Sequence, residues 1–408
     1  MPSFIKGRED HMIKILRQED CCGCTACFNI CPKSAITMEA DFEGFLYPRI
    51  DMDLCINCDL CERVCPLLNP PEIKPYKRQD YAVRTKDLEV LKHSTSGGFF
   101  TPLGKWVFEN GGYLCAATYD DEFHVIHKIL SNEGLDKARG SKYVQSNLDD
   151  CFKQIERYLR KGKLVGFIGT TCQVAGLKSF LLKDYKNLIT IDLVCHGTPS
   201  PKLWDKYLSY QKEKYHSSIK DISFRNKTYG YHSGTMRINF TNDKTYYGSA
   251  RIDLMLKSFF NELASRPICF ECPFKAVERC SDFTLYDCWH ISKLVEDLDD
   301  DDQGYTNVII QSQKGERIFD RIKYLYEYYP VDLNKAIELD GIMIRNSAIA
   351  HPCRSLFYVD LEVERLPRHV KRFIPITLLD RFIEKTKIII YHSGLYNFIW
   401  SLFRSSKK

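Results

Sequence analysis

The sequence predicts a small α+β module at the N-terminus and a larger mixed α/β region after it. Half of the eighteen cysteines lie between Cys21 and Cys65, which indicates a compact module built around those side chains. The proline-containing stretch 69–77 then interrupts regular structure, because proline lacks a backbone donor. From Tyr81 onward, short apolar runs alternate with segments of helical periodicity, which is the pattern of a mixed α/β region.

Composition argues against several classes of protein. The 408 residues are 44% hydrophobic and 27% charged, as in globular proteins. A net charge of +5, without a basic stripe that interleaves aromatic residues, predicts no nucleic-acid partner. No apolar run is long enough to span a bilayer, and residues 1–16 lack the pattern of a secretory signal. We therefore expect a cytoplasmic protein, in which so many thiols indicate metal or redox chemistry rather than disulfides.

The larger region contains a strand–helix–strand unit followed by hairpins. The apolar runs 164–170 and 188–197 predict buried strands of a largely parallel sheet, and 173–185 between them has helical periodicity. Residues 219–250 alternate between apolar and polar side chains and contain glycine, which predicts antiparallel hairpins.

Two cysteine runs share the pattern Cys-x-x-Cys-x-x-Cys-x-x-x-Cys-Pro. They comprise Cys21, Cys24, Cys27 and Cys31, and then Cys55, Cys58, Cys61 and Cys65. In such runs the first three cysteines wrap one loop around a cubane cluster, and the fourth reaches across to the other cluster. We therefore predict two [4Fe–4S] clusters. Their ligands would be Cys21, Cys24, Cys27 and Cys65 for the first, and Cys55, Cys58, Cys61 and Cys31 for the second.

Zinc is the main alternative for these runs. Ribbon-type zinc sites use two CxxC pairs and require neither a third cysteine at the same spacing nor a following Cys-Pro. Both extra features occur twice here, so iron–sulfur clusters are favoured. Cys22 falls outside the spacing and is expected to be a bystander.

Residues 17–68 resemble bacterial-type two-cluster ferredoxins. The resemblance implies an α+β ferredoxin-like N-terminal module that carries single electrons. About 340 further residues follow, so the module is expected to conduct electrons into a mixed α/β catalytic region.

Six later segments occur in a fixed order and carry a second resemblance. They are HSTSGGFFTPLGKWV (93–107), GGYLCAATYDDEFHVIHKI (111–129), RGSKYVQSNL (139–148), GFIGTTCQVAGLKSFL (166–181), DLVCHGTPSPKLWDKYL (192–208) and RPICFECPFKAVERCSDFTLYDCWHI (266–291). Together they resemble the coenzyme F-420 hydrogenase/dehydrogenase beta-subunit family through most of residues 17–315. The resemblance implies an FAD-dependent, iron–sulfur oxidoreductase.

The family resemblance implies cofactor-binding residues in two segments. The glycine-bearing loop at the start of a helix is expected to contact FAD; it comprises Ser94, Thr95, Ser96, Gly97 and Gly98. Lys142 is a candidate for the flavin ring or phosphates, where a cation would stabilise the anionic reduced flavin. The alternatives are an ordinary capped helix start for the loop and an ordinary surface lysine for Lys142.

A third [4Fe–4S] cluster and a proton donor complete the implied site. Four cysteines match those of the family motifs, namely Cys172, Cys195, Cys269 and Cys272. Cys172 and Cys195 each follow an apolar strand and can therefore share one edge of a sheet. The alternatives are buried structural thiols or zinc. His196 is a candidate catalytic residue that would donate a proton, with a structural histidine as the alternative.

The sequence departs from the family pattern in one segment. Tyr286 and His290 stand where relatives commonly have glycines. A side chain in place of a glycine turn would obstruct the approach of backbone to a cofactor, so loss of activity is one expectation.

We predict five regions and three alternative functions. The regions are the ferredoxin-like domain 1–68, a linker 69–80, a flavin-binding region 81–160, an α/β region 161–330 with the third cysteine cluster, and a helical, basic tail 331–408. The favoured function is an oxidoreductase that links [4Fe–4S] clusters through FAD to an unknown small-molecule substrate, with an association with polysaccharide biosynthesis. The alternatives are an electron-transfer subunit of a larger redox complex and a degenerate scaffold. The partner would be an external electron donor or acceptor protein, and the apolar, basic tail predicts peripheral membrane contact.

Overall fold

The computed structural model describes residues 17–393. The strands of this part of the chain are β1 (Ile36–Ala40), β2 (Leu46–Ile50), β3 (Gln79–Thr85), β4 (Tyr113–Tyr119), β5 (Val125–Leu130), β6 (Val165–Thr170), β7 (Leu188–Leu193), β8 (Ile219–Asn226), β9 (Thr235–Phe240), β10 (Thr245–Ser249), β11 (Phe283–Cys288), β12 (Tyr305–Ile310) and β13 (Tyr326–Val331).

The α-helices are α1 (Ala26–Ile30), α2 (Leu60–Arg63), α3 (Leu88–Lys92), α4 (Phe100–Glu109), α5 (Leu135–Ala138), α6 (Cys151–Arg160), α7 (Thr171–Leu181), α8 (Pro201–Tyr215), α9 (Leu254–Phe260), α10 (Ile291–Leu294), α11 (Gln313–Ile322), α12 (Leu333–Asp340), α13 (Ile342–Arg345), α14 (Arg354–Phe357), α15 (Leu366–Phe373) and α16 (Leu378–His392). Short 3-10 helices lie at Gln18–Asp20, Asn132–Gly134, Lys227–Tyr229, Tyr231–Ser233, Pro267–Glu271 and Lys323–Leu325.

A large mixed sheet organises the chain after the N-terminal domain. Its strand order is β13-β3-β12-β11-β7-β6-β4-β5. The central pairs β11–β7, β7–β6 and β6–β4 are parallel, and the outer pairs are antiparallel. The predicted mixed α/β architecture is therefore confirmed, and so are the parallel strands at 164–170 and 188–197. The predicted regions 81–160 and 161–330 both contribute strands to this one sheet, and β3 begins within the predicted linker.

Helices cover both faces of the sheet. On one face, α4 and α11 pack against apolar side chains such as Ile191, Phe283 and Val308. On the opposite face, α6 and α7 cover Val165 and Phe167. The α6 helix is amphipathic, and its buried side chains recur at helical spacing as Cys151, Phe152, Ile155 and Leu159. The α7 helix is buried on almost every side, because it lies between the sheet and the N-terminal domain.

A second, three-stranded sheet packs beside the large one. Its order is β10-β9-β8, and both pairs are antiparallel, which confirms the hairpins predicted for 219–250. Its apolar face forms a common core with α8, α9 and α15. This core also receives Phe45 and Tyr47 from the N-terminal domain.

The N-terminal domain docks on the rest of the chain through named contacts. The buried Asn29 side chain donates to the carbonyl of Asp149 at 2.8 Å, just before α6. Glu43 forms a buried ion pair with Arg354, and the Ser200 hydroxyl donates to the Glu43 carbonyl. The two cysteine loops are therefore held in a fixed relation to the large sheet.

The C-terminal part is helical as far as the structure describes it, from α12 to α16. The predicted membrane-contacting tail spans residues 331–408, and its last part, 394–408, lies outside the described residues. Within 17–393, no helix is both long enough and apolar enough to cross a bilayer.

Candidate metal and cofactor sites

The two cysteine runs adopt the same local backbone shape. Thr25 and Asp59 have left-handed conformations, with φ of 62° and 56°, directly before α1 and α2. Such a conformation is costly for a β-branched threonine and marks a loop that is held in a tight curl. The third cysteine of each run, Cys27 or Cys61, then lies in the short helix that follows. The internal repeat in sequence is thus a repeat in conformation.

The cysteines predicted for the first cluster face one another. Burial, and then the neighbouring Cys21 and Cys65, raise the pKa of the Cys27 thiol well above its usual value. All four side chains of this set (Cys21, Cys24, Cys27 and Cys65) are buried. Cys65 comes from the second run, so the exchange of the fourth cysteine between runs is geometrically satisfied. The donor set fits a buried [4Fe–4S] cluster.

The cysteines predicted for the second cluster border an open cavity. This cavity measures about 280 Å³, and its lining includes all four cysteines of the set, Cys31, Cys55, Cys58 and Cys61. Cys58 is exposed, and the apolar side chains of Met52 and Ile56 at the rim are about half exposed, at 44% and 56%. The second set thus fits a cluster near the surface, whereas the first set is enclosed.

Backbone amides already donate to the sulfurs of both sets. The Gly23 amide donates to Cys21 Sγ at 3.3 Å, and the Ala35 amide donates to Cys31 Sγ at 3.3 Å. Hydrogen bonds to cluster sulfurs and solvent exposure both tune reduction potential. The two sets have similar amide contacts but differ in exposure, so their potentials are expected to differ.

The first set packs directly against α7. A Cβ atom added at Gly176 would lie 2.7 Å from Cys24 Cβ and 2.9 Å from its Sγ. Only glycine therefore lets α7 approach this cysteine so closely. At the start of the same helix, the Cys172 thiol lies within hydrogen-bonding distance of Cys22. Cys22 therefore connects the loop of the first set with Cys172. Its position outside the spacing of the cysteine motif does not indicate this role.

Four later cysteines lie together at one edge of the sheet. Cys172 follows β6 and Cys195 follows β7, and these strands are parallel neighbours, as predicted. Burial, and then Cys195, Cys172 and Cys272, raise the pKa of the Cys269 thiol. Burial, and then Cys172, raise the pKa of Cys272 to about 11. Four thiols from three chain segments therefore face a common space.

A cation adjoins these four cysteines. The Lys275 ammonium donates to the carbonyl oxygens of Cys195 and Met343. Burial lowers the pKa of Lys275, while the neighbouring Cys195 and Cys272 act in the opposite direction. Four thiolates bound to a cluster leave net negative charge, which a nearby ammonium compensates. The chemistry of this donor set therefore fits a third [4Fe–4S] cluster.

Zinc is the alternative occupant of these cysteine sets. Zinc binds thiolates at about 2.3 Å, which brings all four sulfurs into one small shell. Among residues 17–393, no three His, Cys, Asp or Glu side chains converge closely enough to hold one ion. A cubane places four irons between its four thiolates and so accommodates wider separations.

A buried ion pair anchors the segment that carries the later cysteines. Arg279 and Asp192 form this pair, and their side chains are 2% and 0% exposed. Asp192 also accepts hydrogen bonds from Thr171 at 2.8 Å and from Ser281 and Thr284 at 2.6 Å. Since Thr171 precedes Cys172, the pair holds the start of α7 against the segment after Cys272.

The loop predicted to contact FAD is internally hydrogen-bonded. Ser94 donates to the Val90 carbonyl at 2.6 Å, and the Ser96 hydroxyl lies 2.7 Å from that of Thr306. The Thr95 hydroxyl accepts from the Ser141 amide at 3.0 Å. The loop thus uses its hydroxyls to close α3 and to join neighbouring segments.

The two glycines of this loop have structural reasons of their own. A Cβ atom at Gly97 would lie 2.1 Å from the Val83 carbonyl oxygen, and Gly98 has a positive φ of 79°. The Gly97 amide donates to Thr306 Oγ1 at 2.9 Å. These glycines are required by packing on β3 and β12, so they do not by themselves indicate a phosphate cradle.

Three cations surround this loop. Lys142 donates to the carbonyls of Ala138, Arg139 and Gly140, and burial lowers its pKa to about 7. Lys227 donates to the Ser96 carbonyl at 2.7 Å, and burial and then Arg225 lower its pKa to about 7. Neither lysine forms an ion pair with a carboxylate of residues 17–393. Arg225 pairs with Asp287, but its buried Nη2 has no partner among the described residues.

The two half-buried lysines without a carboxylate partner and the unpartnered Nη2 of Arg225 fit an anionic ligand. Buried cations are ordinarily paired with carboxylates, phosphates or other anions. The loop follows β3, and β3 runs in the same direction as β6, β7 and β11. Ligands of open α/β sheets bind at the carboxyl ends of the strands, which is where this group lies.

His196 lies between the cysteines and the cations. Its Nε2 contacts Glu262 Oε1, and its ring lies 5.2 Å from that of Phe259. Tyr143 follows Lys142 in the sequence, and its ring lies 5.0 Å from that of Phe259. The other Glu262 oxygen is buried without a partner among the described residues.

Tyr286 does not obstruct the loop, contrary to the expectation from its replacement of a glycine. Tyr286 pairs with Asn307 across β11 and β12, whereas Thr306 next to it holds the loop. Adjacent strand residues point to opposite faces, so Tyr286 and the loop lie on opposite sides of the sheet. Tyr286 packs under α12 and donates to Asp80 at 2.5 Å.

His290 also has an ordinary backbone conformation. Its φ is −122°, so the position does not require glycine, and its Nδ1 lies 2.6 Å from Asp340 Oδ1. The two departures from the family pattern therefore do not fill the space around the loop of residues 94–98.

Comparison with protein families yields two matches. Residues 20–67 match the 4Fe-4S dicluster domain. Residues 162–329 match the C terminus of the coenzyme F420 hydrogenase/dehydrogenase beta subunit. The two matched segments contain all twelve cysteines of the three predicted sets.

Two curated proteins are similar to parts of the chain. A subunit of the F(420)H(2) dehydrogenase of Methanosarcina mazei is 24% identical over 199 residues, which cover 45% of this chain. The chain spans only about half of that relative, 55% of its length. An uncharacterised ferredoxin of Methanocaldococcus jannaschii is 32% identical over 68 residues, which cover 16% of this chain and 87% of the ferredoxin.

Among solved structures, a chain of the F420-reducing [NiFe] hydrogenase complex from Methanosarcina barkeri aligns with a TM-score of 0.43. The identity is 18%, and the alignment covers 74% of this chain and 94% of that one.

Proposed function

The chain belongs to the coenzyme F420 hydrogenase/dehydrogenase beta-subunit family and begins with a 4Fe–4S dicluster domain; on that premise we propose that it is an iron–sulfur electron-transfer subunit of an oxidoreductase. It would exchange single electrons with a donor or acceptor protein. The two cysteine sets of the N-terminal domain would hold the clusters that carry those electrons.

One observation carries this proposal, namely the succession of the three cysteine sets through the molecule. The second set opens to solvent around Cys58, the first set is buried, and the cysteines of the third set are half-buried. Cys22, next to Cys21 of the first set, contacts Cys172 of the third. Because electron transfer slows steeply with distance, neighbouring sets in this order would form an efficient route.

We further propose that FAD binds beside the third set. When bound, FAD supplies a carrier that takes up either one or two electrons. The support is the group of cations around the loop of residues 94–98, especially Lys142 and Lys227, which have no carboxylate partner among residues 17–393. The diphosphate would neutralise this charge. The loop would contribute through its position at the carboxyl ends of the strands rather than through free hydroxyls.

His196 would hold a proton near this site. Glu262 is in contact with its Nε2 and would orient the imidazole ring. A structural role in joining the segment after β7 to Glu262 is the alternative. The identity of the two-electron substrate is a separate question, because the F420 in the names of relatives does not determine the substrate of this chain.

The alternatives make different predictions about partners. An electron-transfer subunit without its own substrate would turn over only with a partner protein. A degenerate scaffold would leave the flavin and third-cluster positions empty, but Tyr286 and His290 no longer favour it. An association with polysaccharide biosynthesis has no support beyond the sequence resemblance.

Surface contacts of the C-terminal part support an additional partner. The polar face of α16 lies inward, where Glu384 accepts from Ser249. Its outward face exposes Leu378, Phe382 and Ile389, at 84%, 67% and 67%. An exposed apolar stripe of this kind indicates a surface that another molecule covers. Peripheral membrane contact through the C-terminal tail, residues 331–408, stays a prediction.

The FAD proposal predicts a specific effect of Lys142. Anaerobically prepared protein equilibrated with FAD and freed of excess is expected to retain about one FAD per chain. Lys142→Met should weaken FAD binding about tenfold, because a charge-assisted contact is lost. Equilibrium dialysis measures the affinity, and bleaching of the bound FAD by reduced methyl viologen measures its reduction.

Lys137→Met is the matched control, because Lys137 is exposed and lies only five residues away. Its FAD affinity should equal that of the unmodified protein. Protein that contains iron but retains no FAD would contradict the flavin proposal and favour the partner-dependent alternative.

A further inference from the structure

Arg266 lies between the first cysteine set and the third. Its Nε donates to the Cys21 carbonyl at 2.7 Å, and its Nη2 donates to the Leu46 carbonyl at 3.1 Å. Its Nη1 donates to Gln145 Oε1 at 3.1 Å. Arg266 also precedes Cys269 by three residues, and its carbonyl accepts from the Cys269 amide. One side chain thus joins the loop of the first set to the segment that carries the third.

The Arg266 guanidinium is enclosed by the protein. Arg266 is 1% exposed, and its guanidinium lies 4.0 Å from the centre of the Tyr47 ring. A Cβ atom at Gly23 would lie 2.9 Å from its Nη1, so the backbone of the first loop is in contact with it.

The buried charge has only neutral acceptors. All three hydrogen bonds of Arg266 go to amide oxygens, and no carboxylate of residues 17–393 forms an ion pair with it. By contrast, the neighbouring Arg354 is paired with Glu43, and Arg279 is paired with Asp192. An unpaired buried guanidinium is costly unless an anionic group lies nearby. A cluster with its four thiolates carries net negative charge, and one on each side of Arg266 would supply such a group.

We propose that Arg266 is a positioning residue that raises the reduction potential of the cluster held by the first cysteine set and keeps that set in register with the third. The proposal rests on the proposed function, because it requires clusters at these positions.

The electrostatic reason is direct. One-electron reduction takes an electron from a donor protein, consumes no proton and makes the cluster one charge more negative. A fixed cation nearby therefore stabilises the reduced form more than the oxidised form. Arginine suits this role because its guanidinium stays protonated when buried and its planar donors reach several acceptors at once. A lysine between two anionic clusters would keep its charge but not these contacts.

Three substitutions separate charge from geometry. Arg266→Gln removes the charge. Gln145→Glu keeps the arginine but places a carboxylate on its Nη1, so that the charge is neutralised without loss of the guanidinium. Arg266→Lys keeps a positive charge and loses the planar set of donors. The control is the double variant Glu43→Gln/Arg354→Gln, which removes a nearby buried arginine together with its carboxylate and leaves the net charge unchanged.

The experiment is an anaerobic redox titration of the full-length, cluster-loaded protein, followed by electron paramagnetic resonance, with iron counted per chain. Arg266→Gln and Gln145→Glu should both lower the midpoint potential of the first cluster by about 59 mV or more. This shift corresponds to a tenfold change in the one-electron equilibrium constant. Arg266→Lys and the control should shift that constant less than twofold.

Each outcome bears on the proposal. If Arg266→Gln fails to load clusters, Gln145→Glu and Arg266→Lys still report the effect of charge. Clusters present in all variants with unchanged potentials would overturn the role of Arg266 and leave the proposed function intact. An equal shift in Arg266→Lys would also overturn it, because the charge is kept there. Absence of clusters from the unmodified protein would contradict the proposed function instead.

Discussion

Replacement of Cys27 with serine is expected to remove about four irons per chain, the content of one cubane cluster. Cys27 lies within the buried first set, where Cys21 and Cys65 are its neighbours. A serine hydroxyl is a poorer iron ligand than a thiolate, and the enclosed position offers no solvent-borne substitute. The measurement is iron and acid-labile sulfide per chain after anaerobic purification.

The loss should be confined to one cluster and should also weaken the docking of the N-terminal domain. The α1 helix, which contains Cys27, packs against α7, so disorder in this loop should lower the thermal midpoint as well. Cys353→Ser is the control, because Cys353 belongs to none of the three sets. If Cys27→Ser retains the full iron content, the division of ligands between the two runs is wrong.

The second large effect concerns the pair of Arg279 and Asp192. Arg279→Met is expected to lower the free energy of unfolding by about 3–5 kcal/mol, because it leaves a buried carboxylate without its cation. Thr171, Ser281 and Thr284 would still donate to Asp192, so the loss should lie toward the lower end of that range. Urea denaturation followed by circular dichroism measures the change.

A surface pair provides the comparison for this experiment. Arg160 and Glu156 form an exposed pair on α6, and Arg160→Met should change stability by no more than about 0.5 kcal/mol. The double variant Arg279→Met/Asp192→Leu should recover much of the loss, because apolar replacement of a buried pair is often neutral. A loss below about 1 kcal/mol for Arg279→Met alone would mean that the pair does not anchor the segment before β11.

Local patterns in the sequence predicted the central part of the fold. The apolar runs predict β6 and β7 as neighbouring parallel strands, whose carboxyl ends lie at the same edge of the sheet. Cys172 and Cys195 follow these two ends and are therefore expected at that edge. Spacing also predicted the exchange of Cys65 into the first set. The placement of Cys172 and Cys195 is confirmed because it depends only on two neighbouring strands, whereas the exchange of Cys65 stays a prediction.

Contacts between segments that are distant in the sequence cannot be predicted from such local patterns. Nothing in the sequence around Arg266 indicates that its side chain reaches the Cys21 carbonyl, because the two residues are brought together only by docking of the N-terminal domain. Cys22 was set aside for the same reason. The side of the sheet on which Tyr286 lies could not be predicted either, because it depends on how β11 pairs with β12.

The most direct test of the central claim is the iron and acid-labile sulfide content of the anaerobically purified, full-length protein. Two clusters in the N-terminal domain predict about eight irons and eight sulfides per chain, and a third cluster at Cys172, Cys195, Cys269 and Cys272 raises both to about twelve. Fewer than about four irons per chain, or zinc without sulfide, would contradict the assignment of iron–sulfur clusters to these cysteines.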